Sequence, residues 1–318
     1  MKVFLFLLLK IITNSIEYWH VYVSITIIGI SWSVDMPARR SLIHDFMDGK
    51  PLANGIALDS IGISLATMIG PALAGIFISI YGIGSGVFLI CIFYVASIFS
   101  INLIPPTPAI NQNPKKQLFK IQIKEIINLL KTYPIIVPTI FLTVVMNLLM
   151  FPYTFILPVI AKNTLALGPD LMGILQSTPG AGAMIGTILI CSMPKIPNHF
   201  KIYYTGCLIS FLGIFCFAIS TNFITSSIIL IFLGIGTAGF ASMQSTIILS
   251  NTPYDKRGLG LGLVTIAIGS GPFGALLVGQ IAEIFSPQNA LLLNSFLGLV
   301  LTVPVIVLFK FRKKIEKI

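Results

Sequence analysis

Ten acidic and twenty basic side chains are the only Asp, Glu, Lys and Arg in 318 residues. The carboxyl best placed for chemistry is Asp59. It lies about seven residues past the start of an apolar run, roughly 10 Å along a helix at ~1.5 Å per residue. An ionisable group at such a depth is costly and faces a cavity or a partner. It could bind a proton on one stroke and release it on the other, or it could pair with Arg39 or Arg40 near the membrane surface. Asp35 is a second proton-coupling candidate. With Arg39, Arg40 and, from a later loop, Arg257, it could also form a charge latch that favours one facing state, although the same arginines would serve as plain positive anchors. Asn147, Phe151, Tyr153 and Gln176 combine amides and aromatic rings, which suit the wall of a cavity for a large, partly apolar ligand. Core packing and hydrogen bonds between helices would use the same residues. Glu283 falls at the far end of its run, away from any relay.

Enzyme chemistry finds no footing. His20, His44 and His199 are far apart, no two His share an H-x-x-x-H spacing, no span holds paired carboxylates, and there is neither a nucleophile elbow nor a Walker loop. The expectation is therefore no enzyme, no cofactor, no bound metal and no direct use of ATP. The four cysteines, Cys91, Cys191, Cys207 and Cys216, lie in apolar runs without metal-type spacing and read as buried thiols.

The elements that must position these groups follow from composition. Charged residues make up 9% of the chain and the large apolar set 56%, against roughly a quarter charged in soluble domains. Such a chain cannot cover its apolar surface in water. A cytoplasmic enzyme, a disordered chain and a disulfide scaffold are excluded, and a polytopic all-α membrane protein is required. Runs long enough to span lie near 19–36, 52–80, 86–104, 134–160, 171–193, 202–220, 223–249, 259–285 and 290–309. A tenth, Val3–Ile12, is apolar but short. It reads as the end of a longer helix, since a signal peptide would need a cleavage site that does not follow.

The net charge of +10 is explained by topology, not by nucleic acid. Alternate loops are basic, and 18 of the 20 Lys and Arg fall on one side, with Lys10 and Lys162 the exceptions. That side is cytoplasmic by the positive-inside rule. Both termini then lie inside, and ten crossings of a plasma (inner) membrane fit. The one long connection, 105–133, opens with Pro105-Pro106-Thr107-Pro108. It then places Phe119, Ile123, Ile126, Ile127 and Leu130 at helical spacing, as in an amphipathic helix on an anionic membrane surface or, more plainly, a solvated linker. The expected domains are 1–104 with about four helices, this linker, a six-helix bundle over 134–309 and a basic tail at 310–318.

Two spans look alike. One holds Gly70-Pro71-Ala72-Leu73-Ala74-Gly75. The other holds Gly269-Ser270-Gly271-Pro272-Phe273-Gly274 followed by Gly279. Each comes after a basic loop, and the correspondence signals a repeat of two halves. These stretches resemble the major facilitator superfamily, together with Val34 to Ile43, Leu52 to Ser60, Phe151-Pro152-Tyr153 to Val159, Gly180-Ala181-Gly182 and Arg257-Gly258. Within it they resemble the branch of the enterobactin exporter and macrolide efflux proteins. The resemblance covers essentially the whole chain. It implies a twelve-helix bundle of which the first two helices would be missing here.

The resemblance also implies proton-coupled export of a small amphipathic molecule, of siderophore or drug type, by alternating access, with no ATP and as a monomer. Gly70, Pro71 and Gly75 would then be an antiporter-type motif on which the halves seal and pivot, with Gly271, Pro272 and Gly279 its second-half counterpart. The chain departs from that pattern with Asp59 where the branch has Asn and Thr67 where it often has Arg. A lysophospholipid or other lipid transporter on the same fold, a non-transporting fragment and a membrane-embedded enzyme are the competing readings.

Overall fold

The computed structural model describes residues 2–13, 15–46, 52–103, 119–193, 198–253 and 256–315, which form helices and short turns with no strand among them. They divide into two compact units: Met1–Pro114 with Gly168–Ile174, and Lys115–Leu167 with Leu175–Ile318.

The first unit contains α1 (Lys2–Ile12), α2 (Tyr18–Phe46), α3 (Leu52–Tyr81) and α4 (Ile83–Asn102). Helices α3 and α4 form a hairpin that turns on Gly82. Its φ of +81° is a conformation that glycine adopts without steric cost. The Ser85 hydroxyl steadies the turn by donating to the carbonyls of Phe77 and Gly82, at 2.8 and 2.7 Å. Helix α1 packs on α4, with the rings of Phe4 and Tyr94 5.1 Å apart.

The second unit contains α5 (Phe119–Thr132), α6 (Ile136–Val145), a π-helical turn (Met146–Met150), α7 (Tyr153–Asn163), most of α8 (Pro169–Cys191), α9 (His199–Ile219), α10 (Phe223–Asn251), α11 (Arg257–Ile268), α12 (Gly271–Ile284) and α13 (Pro287–Ile315). Lipid tails are as apolar as leucine, so close packing has to replace the hydrophobic effect as the glue between helices. Glycines supply it. A Cβ on Gly206 of α9 would lie 2.5 Å from the carbonyl oxygen of Gly236 on α10, and one on Gly234 would meet the Pro179 carbonyl oxygen of α8.

Eight helices among the described residues are long and apolar enough to cross a membrane, and Val3–Ile12 and Tyr18–Ser31 are shorter apolar stretches. The sequence suggests ten crossings. The difference lies at the front. Helix α1 has eleven residues, and α2 is long, but its second half carries Asp35, Arg39, Arg40 and Asp45, which leaves only Tyr18–Ser31 apolar.

Two further expectations change. Helix α5 belongs with the second unit, where Leu129 is fully buried in a cluster with Ile136, Ile248 and Val264. The apolar spacing of α5 leaves Leu129 off the expected face, whereas Ile127, on that face, is exposed. The tight Tyr133-Pro134 connection brings the end of α5 down onto the ends of α10 and α11, and the residue aimed there is buried. Residues 105–118 of the long connection lie outside the described residues. Of the cysteines, Cys91 and Cys207 are buried, but Cys191 and Cys216 are exposed on the outer faces of their helices. An apolar span buries only one of its faces in protein, so an apolar neighbourhood in sequence does not bury every thiol.

Candidate functional site: a charged cluster and a polar cluster

The first unit holds the charged cluster. Asp35 and Arg39 are one turn apart on α2 and pair at 3.5 Å, with the acidic partner N-terminal, the favourable order on a helix. Arg39 also reaches across to α3, where its Nη1 donates to Oδ1 of Asp59 at 3.2 Å. The side chain of Asp59 is 17% exposed, Arg39 37% and Asp35 66%. The structure therefore brings together Asp59, Arg39 and Asp35. The Arg40 side chain lies outside the described residues, and Arg257 is half-buried at the first residue of α11 in the other unit.

The Gly-Pro stretch of α3 lies in the same unit. Helix α3 continues through Pro71, because only one glycine precedes the proline and the good helix formers Ala72, Leu73 and Ala74 follow it. Gly75 is buried, and a Cβ there would run into the Pro169 carbonyl oxygen and stand 2.9 Å from Cα of Gly173. A Cβ on Gly173 would meet the Pro71 carbonyl oxygen in the same way. Gly70 has nothing within 4 Å. Of the three motif residues, Gly75 and the Pro71 carbonyl make the close contact.

The second unit holds the polar cluster. Thr139, Thr143 and Asn147 recur every four residues, so they share one face of α6 and its continuation. Thr143 is the hub. Its hydroxyl donates to the Thr139 carbonyl at 2.8 Å, and the Tyr203 hydroxyl of α9 donates to that same carbonyl at 2.9 Å. A carbonyl oxygen has two lone pairs and accepts both. The oxygens of Thr143 and Tyr203 are 3.0 Å apart. Nε2 of Gln244, on α10, donates to Thr143 Oγ1 at 2.8 Å, and Nδ2 of Asn147 donates to the Thr143 carbonyl at 2.8 Å. Every one of these side chains is buried, with Asn147 and Gln244 retaining 7% and 6% of their surface. Both amides turn N–H groups inward, so their oxygens are the groups left to accept a bond. Phe240, one turn before Gln244, stacks on Tyr203 at 5.4 Å and meets Phe151 edge-on at 5.8 Å.

Of the sequence-selected cavity residues, Asn147 and Phe151 join this cluster. Tyr153 is buried at the start of α7, and Gln176 is half-buried on α8. Thr143, Tyr203, Gln244 and Phe240 were not selected. The Thr139-Thr143-Asn147 spacing within an apolar run was the available signal, while Tyr203 and Gln244 lie 60 and 101 residues from Thr143.

The second Gly-Pro stretch behaves differently from the first. Gly269 and Ser270 form a turn between α11 and α12, and Pro272 sits at the start of α12. Two glycines and a serine before a proline carry too little helix propensity to continue. Gly274 is buried against the π-turn, Gly271 lies near Asn147, and Gly279 has nothing within 4 Å. In the second stretch the closely packed glycine is Gly274, while Gly279, the counterpart expected from the sequence, faces open space. Among the described residues no group of three or more His, Cys, Asp or Glu could hold a metal ion.

The long apolar helices, the repeated Gly-Pro stretch and the two polar clusters can be set beside known proteins. A family model described as transmembrane secretion effector matches residues 1–317. The chain belongs to this family of the major facilitator superfamily. This is a transporter family and not an enzyme family. Among the relatives of this secretion effector chain, the staphyloferrin A transporter of Staphylococcus aureus is 24% identical over 265 residues, which cover 82% of this chain and 65% of that protein. A probable sphingolipid transporter, spinster homolog 2 of Arabidopsis thaliana, is 26% identical over 113 residues, 35% of this chain and 23% of that protein. The chain thus spans less than two thirds of the length of these curated relatives.

Proposed function

We propose that the chain is the greater part of a secondary active transporter that exports a small amphipathic molecule of siderophore type, driven by protons. It would lie in the inner membrane with both termini in the cytoplasm and act as a monomer without ATP. The observation that carries this reading is the family match over 1–317, supported by the similarity to a staphyloferrin A transporter. Alternating access would rock two bundles about a midplane cavity. Asn147, Phe151, Tyr153 and Gln176 would line it, and Gly75 with the Pro71 carbonyl would form a close-packed face on which helices slide. Asp35, Arg39, Arg40 and Arg257 would latch one facing state. Asp59, held by Arg39 in this state, would exchange that partner for a proton in the other.

Proteoliposomes carrying the full-length transporter test this directly. Labelled staphyloferrin A should move against its gradient when a proton gradient is imposed and stop when a protonophore collapses it. Asp59→Asn should keep downhill flux and lose the gradient dependence. Flux indifferent to the proton gradient in the unmodified protein overturns the coupling. A second reading, a lipid transporter, is favoured by the similarity to the plant sphingolipid transporter. Lysophospholipid movement in the same vesicles, with no siderophore flux, would replace the first reading by the second.

A further inference from the structure

The π-turn at Met146–Met150 has a cause in the sequence. In a regular helix the Leu148 carbonyl would accept from the N–H of residue 152, but Pro152 has none. The ladder therefore takes a wider step, and Phe151 N–H bonds back five residues to the Met146 carbonyl at 3.0 Å. Such a turn adds a residue without adding rotation, and it pushes carbonyls outward from the helix. The displaced Leu148 carbonyl needs an empty space beside it, and α12 supplies that space at Gly274. A Cβ on Gly274 would lie 2.8 Å from both the carbon of that carbonyl and Leu148 Cα, and closer still to its oxygen. Backbone on one side and the absence of a side chain on the other make a fitted pair.

The turn decides which face of α7 points inward. With it, Tyr153, Ile156, Leu157 and Ile160 are buried, while Phe155 is 66% exposed. Without it, each residue of α7 would advance by one helical position, about 100°. Phe155 would then take the place of Ile156, and Tyr153 would take the exposed place of Thr154.

We propose that Pro152 and Gly274 together form a register lock. The Leu148 carbonyl, expelled by Pro152 and seated against Gly274, fixes the face that α7 turns inward, and ties α12 to the α6–α7 joint so that they move as one piece. The lock needs no assumption about what the protein transports, and its failure would leave the proposed function untouched.

The test is a double-mutant cycle on the purified full chain in lipid nanodiscs. Pro152→Ala restores the missing donor but leaves the packing of α7 in place, so it should shift the melting midpoint little. Gly274→Ala drives a methyl into the turn and should lower the midpoint by roughly 5 °C. In the double variant the turn can close into a regular helix, so the loss should be at least halved. Gly279→Ala, with open space around it, is the control and should be silent. The second readout is a nitroxide attached through a cysteine at 153 or 155, in a background with the four native cysteines replaced. In the unmodified register the label should be immobile at 153 and mobile at 155. In the double variant the two line shapes should exchange. The spin-label comparison between the parent and the double variant stands even if Gly274→Ala alone fails to fold. Additive melting shifts, or line shapes that do not exchange, overturn the lock.

Discussion

The two Gly-Pro stretches begin from similar sequence and end as different joints. In α3 the proline is carried inside an unbroken helix, and Gly75 meets Gly173 glycine to glycine, backbone against backbone on both sides. At α11–α12 the chain breaks at Gly269–Ser270, and Gly274 meets the irregular backbone of a π-turn. Alanines after Pro71 favour continuation, whereas a Gly-Ser-Gly run before Pro272 favours a stop. Under the proposed roles, the smooth α3 face at Gly75 would slide or pivot, whereas α12, seated on the Leu148 carbonyl, would be held in register. The same dipeptide thus lies inside an unbroken helix in one unit and just after a helix break in the other.

The largest expected effect comes from filling the Gly75 contact. Gly75→Leu places a branched side chain where even a Cβ meets two backbone segments, so neither neighbour can swing away. We expect loss of folded protein in a fluorescence-detected size-exclusion profile. A normal profile would show that α3 and the Gly173 segment are not in contact. Gly75→Ala should be milder, at about 1–3 kcal/mol of overpacking. Next in size is the hub of the polar cluster. Thr143→Val keeps the shape but removes a hydroxyl that donates to Thr139 and accepts from Gln244, leaving the Gln244 amide unpaired. A buried orphan costs about 1–3 kcal/mol, measured by denaturant or thermal unfolding in micelles. Gln244→Leu should cost less, since Thr143 keeps its donation to the Thr139 carbonyl. The ordering of these two variants checks the assigned hydrogen-bond directions.

A smaller effect is expected at the charged cluster. Asp35→Asn removes one mostly exposed i,i+4 pair, on the order of 0.3–0.5 kcal/mol, and high salt should mask it. Asp59→Asn should perturb stability more than Asp35→Asn, because Asp59 is the less exposed partner of Arg39. The reverse order would mean that the link between α2 and α3 carries no weight. Smallest of all are Gly70→Ala and Gly279→Ala, which have nothing within 4 Å to strike. Both should match the parent's melting midpoint closely.

Much of the architecture was legible in the residues. Eight of the nine long apolar runs correspond to helices able to span, and each Gly-Pro stretch lies beside a close helix contact, at Gly75 and at Gly274. Asn147 was visible as an amide in an apolar run. What escaped depends on azimuth and on distant partners. The period of α6 gives no warning of the π-turn at Met146–Met150, where Leu148 stands four residues before Pro152, so nothing in the sequence singled out the close contact at Gly274. The apolar stripe of α5 predicts a face but not that Leu129, off that face, meets the bundle. Gln244 and Tyr203 lie on helices whose sequences read as plain spans, and only folding brings them to Thr143. Asp59 was singled out for its depth, with Arg39 or Arg40 as a candidate partner, and the structure pairs it with Arg39.

The most direct test joins the comparison to transport. Counterflow of a labelled siderophore should be measured in vesicles carrying four variants of the full-length protein: Gly75→Ala, Gly274→Ala, Gly70→Ala and Gly279→Ala. The contacts predict that the first two lose most of their flux at matched amounts of folded protein, while the last two retain the parent's rate. Equal flux in all four would contradict the account, because the two close backbone contacts would then have no part in the transport cycle.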